Sequence, residues 1–144
     1  TSDGTPWRPL VHVLDICEAI ACALDAPTDA VHNQVFNVGH DADNYQVREI
    51  AQIVAQVFPG CELQFGAAGG DNRSYRVSFA KIHSQLPGFR CAWDARRGAR
   101  QLHEVFSRIG LDAPGFDARP FTRLKQLRYL QETGQVDARL FWTH

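Results

Sequence analysis

Trp7-Arg8-Pro9-Leu10-Val11-His12-Val13-Leu14-Asp15-Ile16-Cys17-Glu18-Ala19-Ile20 is the stretch whose reading decides the fold class. Leu10–Val13 is short and rich in β-branched residues, which predicts a strand. Asp15, with Glu18 three positions on, has capping-box spacing and predicts that a helix opens at once. Ile16, Ala19, Ile20, Ala23 and Leu24 then repeat at helical spacing, and Pro27 marks the end. A strand that hands straight over to an amphipathic helix is an α/β unit. The pattern recurs at Val35–Gly39, a second predicted strand. Asn44 is there the expected cap of a helix carrying Val47, Ile50, Ala51, Val54 and Val57, which Pro59-Gly60 terminates.

Farther along, Glu62-Leu63-Gln64-Phe65 alternates polar and apolar and predicts a third strand, followed by a loop from Gly66 to Asp71. Tyr75–Val77 reads as a short extended piece. Ser78 is the expected cap of a helix with Phe79, Ile82 and Leu86, ended by Pro87-Gly88. Asp94 caps a longer helix in which Leu102, Val105, Phe106 and Ile109 face inward and Gly110 is the stop. A last helix starts near Pro120, carries Phe121, Leu124, Leu127 and Leu130, and closes at Gly134. The expected fold is α/β: a small sheet of short strands packed with several helices. No repeat or linker interrupts it, so 1–144 is expected to form a single domain.

Composition narrows the function classes. The chain is 44% hydrophobic and 22% charged, which is globular and excludes extensive disorder. Fifteen Lys and Arg against sixteen Asp and Glu leave a net charge of −1, which argues against charge-driven nucleic-acid binding. No apolar run approaches a membrane span, and the polar Thr1-Ser2-Asp3-Gly4 opening predicts no signal peptide. The chain has no methionine, hence no visible start residue; a trimmed start and a beginning inside a larger chain both fit. Cys17, Cys22, Cys61 and Cys91 form no C-x-x-C pair and no zinc spacing with histidine. Free thiols in a reducing, cytoplasmic compartment are expected.

The chemistry-bearing motifs are mostly missing. No two of the eleven glycines are separated by a single residue, so there is no G-x-G-x-x-G to bring backbone up to a pyrophosphate. G-K-[ST], H-E-x-x-H and G-x-S-x-G are absent, and no tyrosine is followed four residues later by lysine. No catalytic set, cofactor site or metal site is expected.

Four segments carry a family resemblance. Arg8-Pro9-Leu10-Val11-His12-Val13-Leu14-Asp15 resembles the R-x-x-V-H-V-x-D segment of NAD-dependent sugar-nucleotide epimerases and dehydratases, which are extended short-chain dehydrogenase/reductases. Val35–Gly39 resembles their F-N-V-G strand, and Asn44–Ala51 the helix start that follows it. Asp71-Asn72-Arg73-Ser74-Tyr75, Lys81-Ile82 and Leu86-Pro87-Gly88-Phe89 resemble the D-x-R-x-Y…K-I…L-G-F stretch. The order is the family's, over roughly residues 4–110; Ser78 stands where the family often has Asp. The resemblance is to the C-terminal, substrate-binding lobe. It implies that the Rossmann part, with its NAD loop and Tyr-x-x-x-Lys pair, is not in this chain.

The function this resemblance implies is that of a truncated, non-catalytic relative that retains weak affinity for a nucleotide diphosphate or sugar nucleotide. The alternative is a protein-interaction module, or half of a split enzyme, associating through the face the Rossmann part would cover as a homo-oligomer or with a partner chain. By resemblance, Arg8 and Arg73 are phosphate ligands, for which the planar guanidinium fork suits paired oxygens. Arg76 is a third candidate, although an offset of three in an extended piece points it to the opposite face from Arg73. His12 reads as a structural histidine near a strand end and Asp15 as a helix cap. Asn37 reads as structural rather than substrate-touching, and Arg96, Arg97, Arg100 and Arg108 as a solvated helix face.

Overall fold

The computed structural model describes residues 2–67 and 73–143. Two compact units divide the chain, Thr1–His103 and Glu104–His144. Seven helices and one two-stranded sheet are present among the described residues, an α/β architecture.

In the first unit, β1 (Trp7–Pro9) pairs antiparallel with β2 (Asn44–Gln46), Arg8 opposite Tyr45. α1 (Val13–Asp25) and the short α2 (Thr28–Val31) follow β1; α3 (Val47–Val57) follows β2 directly. α4 (Ala80–Gln85) comes later, and α5 (Ala95–Arg108) runs across the boundary between the units. Ala19 of α1 packs with Phe79, Ile82, Leu86 and Phe89, and Cys22, Ala23, Phe36, Val38 and Val77 close around them. Gly39 lies against this cluster because an added Cβ would stand 2.6 Å from Phe79 Cε1. The second unit holds α6 (Ala113–Asp117), a 3-10 turn at Arg119–Phe121 and α7 (Arg123–Glu132). Val136 then bridges Trp142.

The fold class is as expected, but several boundaries move. The ladder falls on Trp7–Pro9 rather than Leu10–Val13, since α1 already begins at Val13. His12, in extended conformation, is its N-cap, and its Nδ1 accepts from Leu14 N at 3.2 Å. Asp15 is therefore not the cap. It is buried in the first turn, where its two carboxylate oxygens accept from Ala92 N and Trp93 N at 2.9 and 3.2 Å. Asn44 belongs to β2, and α3 is opened instead by Gln46, whose N–H donates to Glu49 Oε2 at 2.6 Å. Phe79, not Ser78, stands at the start of α4, its N–H held by Asp41 Oδ1 at 2.7 Å. Pro120 lies in the 3-10 turn, and α7 starts at Arg123.

Val35–Gly39 and Glu62–Phe65 belong to no ladder among the described residues. Phe36 and Val38 nonetheless alternate inward as a strand would. The inward face of α1 is Ala19, Cys22, Ala23 and Ala26; Ile16, Ile20 and Leu24 are exposed. Leu102 and Ile109 of the α5 region and Phe121 and Leu124 near α7 are likewise exposed. Asp94 does cap α5, accepting from Arg97 N at 2.6 Å. Arg96 donates to Gln56 Oε1, and Arg97 lies over the Trp93 ring, so two arginines of that helix are anchored. Ala68–Asn72, including Asp71 and Asn72 of the D-x-R segment, lie outside the described residues. All four cysteines are free, Cys17 and Cys61 exposed and Cys22 and Cys91 half-buried.

Candidate functional site

β1 supplies Arg8 to the site, and the chain returning from residue 73 supplies the rest. Trp7 N donates to Ser74 Oγ at 3.1 Å and Tyr75 N to Trp7 O at 3.4 Å, which lays this segment along β1. Asn44, buried in β2, clamps the next residue from both sides. Its Oδ1 accepts from Val77 N at 2.8 Å and its Nδ2 donates to Val77 O at 3.0 Å. A bidentate side-chain amide of this kind imitates a strand neighbour and fixes register without a ladder.

The guanidinium of Arg8 donates from Nη1 to Trp7 O at 2.8 Å and to the carbonyl of Arg73. Arg8 Cζ stands 5.6 Å from the Tyr75 ring centre, and Arg76 Cζ stands 4.7 Å from that of Trp7. The Arg8 guanidinium is thus held against the backbone of Arg73. Trp7 and Arg8 alternate along β1, so Arg76, seated on Trp7, is on the opposite face from Arg8. It lines a separate polar hollow of about 310 Å³ with Asp41, Asn44, Val77 and Ser78. Tyr75 is exposed beside Arg8 as a flat aromatic surface. Asn37 is exposed and donates to Ser78 O at 3.5 Å. A guanidinium carries donors only, the chemistry that pairs with an anion's oxygens.

A second concavity, unforeseen from the sequence, opens between α3 and α5. It measures about 220 Å³ and is walled by Leu10, Val11, Ile53, Val54 and Leu102. Its polar residues are all engaged. His12 stacks on Trp93 with ring centres 4.0 Å apart and planes 10° from parallel. Since Nδ1 accepts from Leu14 N, the His12 proton belongs on Nε2, which meets Gln101 Oε1 at 2.8 Å. Asp43 Oδ1 accepts from Tyr45 O–H at 2.7 Å. Burial pushes the Asp43 carboxyl up from its ordinary value, against the pull of the Tyr45 hydrogen bond. Burial first, and the Asp43 bond second, push Tyr45 up to about 12. Burial, with Asp15 and Asp43 nearby, likewise pushes Cys91 up to about 11, away from thiolate chemistry. No sequence signal announced this cluster, because residues 12, 43, 45, 93 and 101 meet only in the fold.

The family model described as NAD dependent epimerase/dehydratase family matches residues 1–39. Over that stretch the chain resembles this family. The match takes in Arg8, His12, Asp15 and the Val35–Gly39 segment; Arg73, Arg76 and the other resembling segments lie beyond it. No curated protein and no solved structure matches the chain. No helix among the described residues is long and apolar enough to cross a membrane.

Proposed function

We propose that this epimerase/dehydratase-like chain is a substrate-lobe relative that binds a nucleoside diphosphate or sugar nucleotide weakly and performs no turnover alone. The observation that carries the reading is the Arg8 guanidinium held against the Arg73 backbone at the β1 edge, from positions 65 residues apart. Two charge-assisted contacts of ~1.5–3 kcal/mol each give weak binding on their own. Arg76 plays the lesser part, since it faces the hollow behind Trp7. The absent G-x-G-x-x-G and Tyr-x-x-x-Lys support a chain that takes no NAD by itself and catalyses nothing without a complement. Free thiols throughout support a cytoplasmic setting.

Thermal shifts with UDP, GDP and dTDP, set against Arg73→Ala and the Arg8→Ala/Arg73→Ala pair, test the site. Stabilisation by the diphosphates that both variants abolish is expected. Equal shifts in native and variant protein would remove these arginines from it. Calorimetry with NAD+ tests the second half, and saturable micromolar binding would overturn it.

A second reading, a chain that associates with itself or with a partner, is favoured by the apolar residues left exposed along α1.

A further inference from the structure

The cavity between α3 and α5 plays no part in the function proposed above, and it joins apolar walls to a buried acid. Leu10, Val11, Ile53, Val54 and Leu102 form the walls. Trp93 is locked in place beside them. His12 stacks on its ring at 4.0 Å, and the Arg97 guanidinium stands 4.0 Å from the ring centre, so each takes one face. Asp43 lines the same cavity and is only 8% exposed. Its Oδ1 accepts from Tyr45 O–H at 2.7 Å, and nothing among the described residues donates to its Oδ2. That oxygen is not sealed in, because no side-chain oxygen or nitrogen among the described residues is both fully buried and without a partner. Asp94 also lines the cavity, whereas no lysine or arginine does.

We propose that this cavity binds a small primary amine, its apolar body between α3 and α5 and its ammonium donating to Oδ2 of Asp43. Size comes first. The volume of about 220 Å³ exceeds the ~150 Å³ that accommodates one benzene ring and falls short of the ~300–1,000 Å³ of drug-sized sites. One ring with a short arm is a body of that order. Sign comes second. A cleft lined by carboxylates and no basic side chain concentrates cations. His12 adds no opposing charge, because its Nδ1 accepts from Leu14 N. The third observation is the shortage of donors at the acid. Burial raises the Asp43 carboxyl, with Asp94 and Asp15 adding to the rise and only the Tyr45 bond and His40 opposing it. Its charged form therefore gains from a further donor, and an ammonium brings three N–H groups together with the opposite charge.

This site is independent of the arginine edge. Its lining includes none of Arg8, Arg73 and Tyr75, and it selects the opposite charge. An amine here and a diphosphate at β1 are separate ligands.

Phenethylamine is the probe, with phenylethyl alcohol as its neutral isostere and phenylacetate as an anion of similar size. Amide chemical shifts of the isotope-labelled chain are followed as each is added. Those of Gly98 and Leu102, which line the cavity, should saturate with phenethylamine at a dissociation constant of ~1 mM or below. The alcohol should bind ~tenfold or more weakly, and phenylacetate should not saturate. Asp43→Asn keeps an acceptor for Tyr45 and removes the charge. It should bring the amine down to the alcohol's affinity and leave the alcohol's unchanged. Val54→Phe enlarges a partly exposed wall residue into the cavity and should weaken both ligands. Arg73→Ala should leave the amine titration as in native protein, and Val54→Phe should leave the diphosphate shifts so, which separates the two sites. Absence of saturation with phenethylamine would overturn the proposal, as would equal binding of amine and alcohol or saturation by phenylacetate. So would an amine preference that survives in Asp43→Asn, a loss of both ligands in that variant, or an amine titration untouched by Val54→Phe.

Discussion

Asp15→Ala should be among the costliest single substitutions in the first unit. The side chain is buried, and each carboxylate oxygen accepts from a backbone N–H, Ala92 at 2.9 Å and Trp93 at 3.2 Å. These bonds join the first turn of α1 to the chain leading into α5, 77 residues away. A hydrogen bond to a charged group contributes ~1.5–3 kcal/mol, so the pair represents about 3–6 kcal/mol before compensation. Removing a buried carboxylate returns part of its desolvation cost, and water reaches the exposed Ala92. The expected net loss is about 2–4 kcal/mol. Urea unfolding followed by tryptophan fluorescence measures it, with Trp93 at the site. At an m-value of about 2 kcal/mol/M, mid-range for small proteins, that loss lowers the midpoint by ~1–2 M. Asp15→Asn, keeping one acceptor but turning an N–H towards a donor, should fall between native and alanine. A loss under about 0.5 kcal/mol, the level of an ordinary surface change, would refute the reasoning.

Gly39→Ala should cost ~2–5 kcal/mol, because the strain of a positive φ is joined by overpacking: its Cβ meets the buried Phe79 ring at 2.6 Å and forces that ring to move. Gly60→Ala, also at positive φ but with nothing within 4 Å, should lose only ~1–2 kcal/mol of conformational strain; equal or reversed losses in thermal melts would contradict the packing argument. Asp43 should make stability fall as pH rises. Its folded pKa is raised, so its contribution is complete below the ordinary 3.8 and is lost as pH climbs through the folded value. Asp43→Asn keeps an acceptor for Tyr45 without titrating. It should therefore be more stable than native protein at pH 7, with the gap closing below pH 3.8; a gap constant with pH in urea midpoints would remove Asp43 as the cause.

The elements that local signals announce are the ones the sequence predicts well. Pro27, Pro59-Gly60, Gly88 and Gly110 fall at or just beyond helix ends, because the cost of continuing a helix through proline or past a left-handed glycine is local. The cap of α5 at Asp94 is equally local, one side chain reaching a backbone N–H three residues on. The cap of α1 departs from the local signal because Asp15 and His12 can both serve. What decides between them is a tertiary attraction, the Ala92 and Trp93 N–H groups that claim the Asp15 carboxylate.

Periodicity locates the apolar residues of α1 but not the direction they face. Ile16, Ile20 and Leu24 satisfy a helical repeat as well as Ala19, Ala23 and Ala26 do, and a repeat says nothing about which stripe meets the core. Small residues take the inner face because Phe79, Ile82, Leu86 and Phe89 already fill that space. The site shows the same division. Arg8, Arg73 and Arg76 are readable one at a time from resemblance, whereas their grouping is not. Only the Asn44 clamp on Val77 and the bonds of Trp7 to Ser74 and Tyr75 lay residues 73–77 along β1. That register joins Arg73 to Arg8 and sends Arg76 to the other face. By itself, then, the sequence determined the α/β class, the helix ends and the identity of the charged residues, all of which rest on interactions within a few residues. The pairing of β1 with β2, the buried role of Asp15, the outward stripe of α1 and the arginine edge were decided by tertiary structure, because each depends on a contact between segments tens of residues apart.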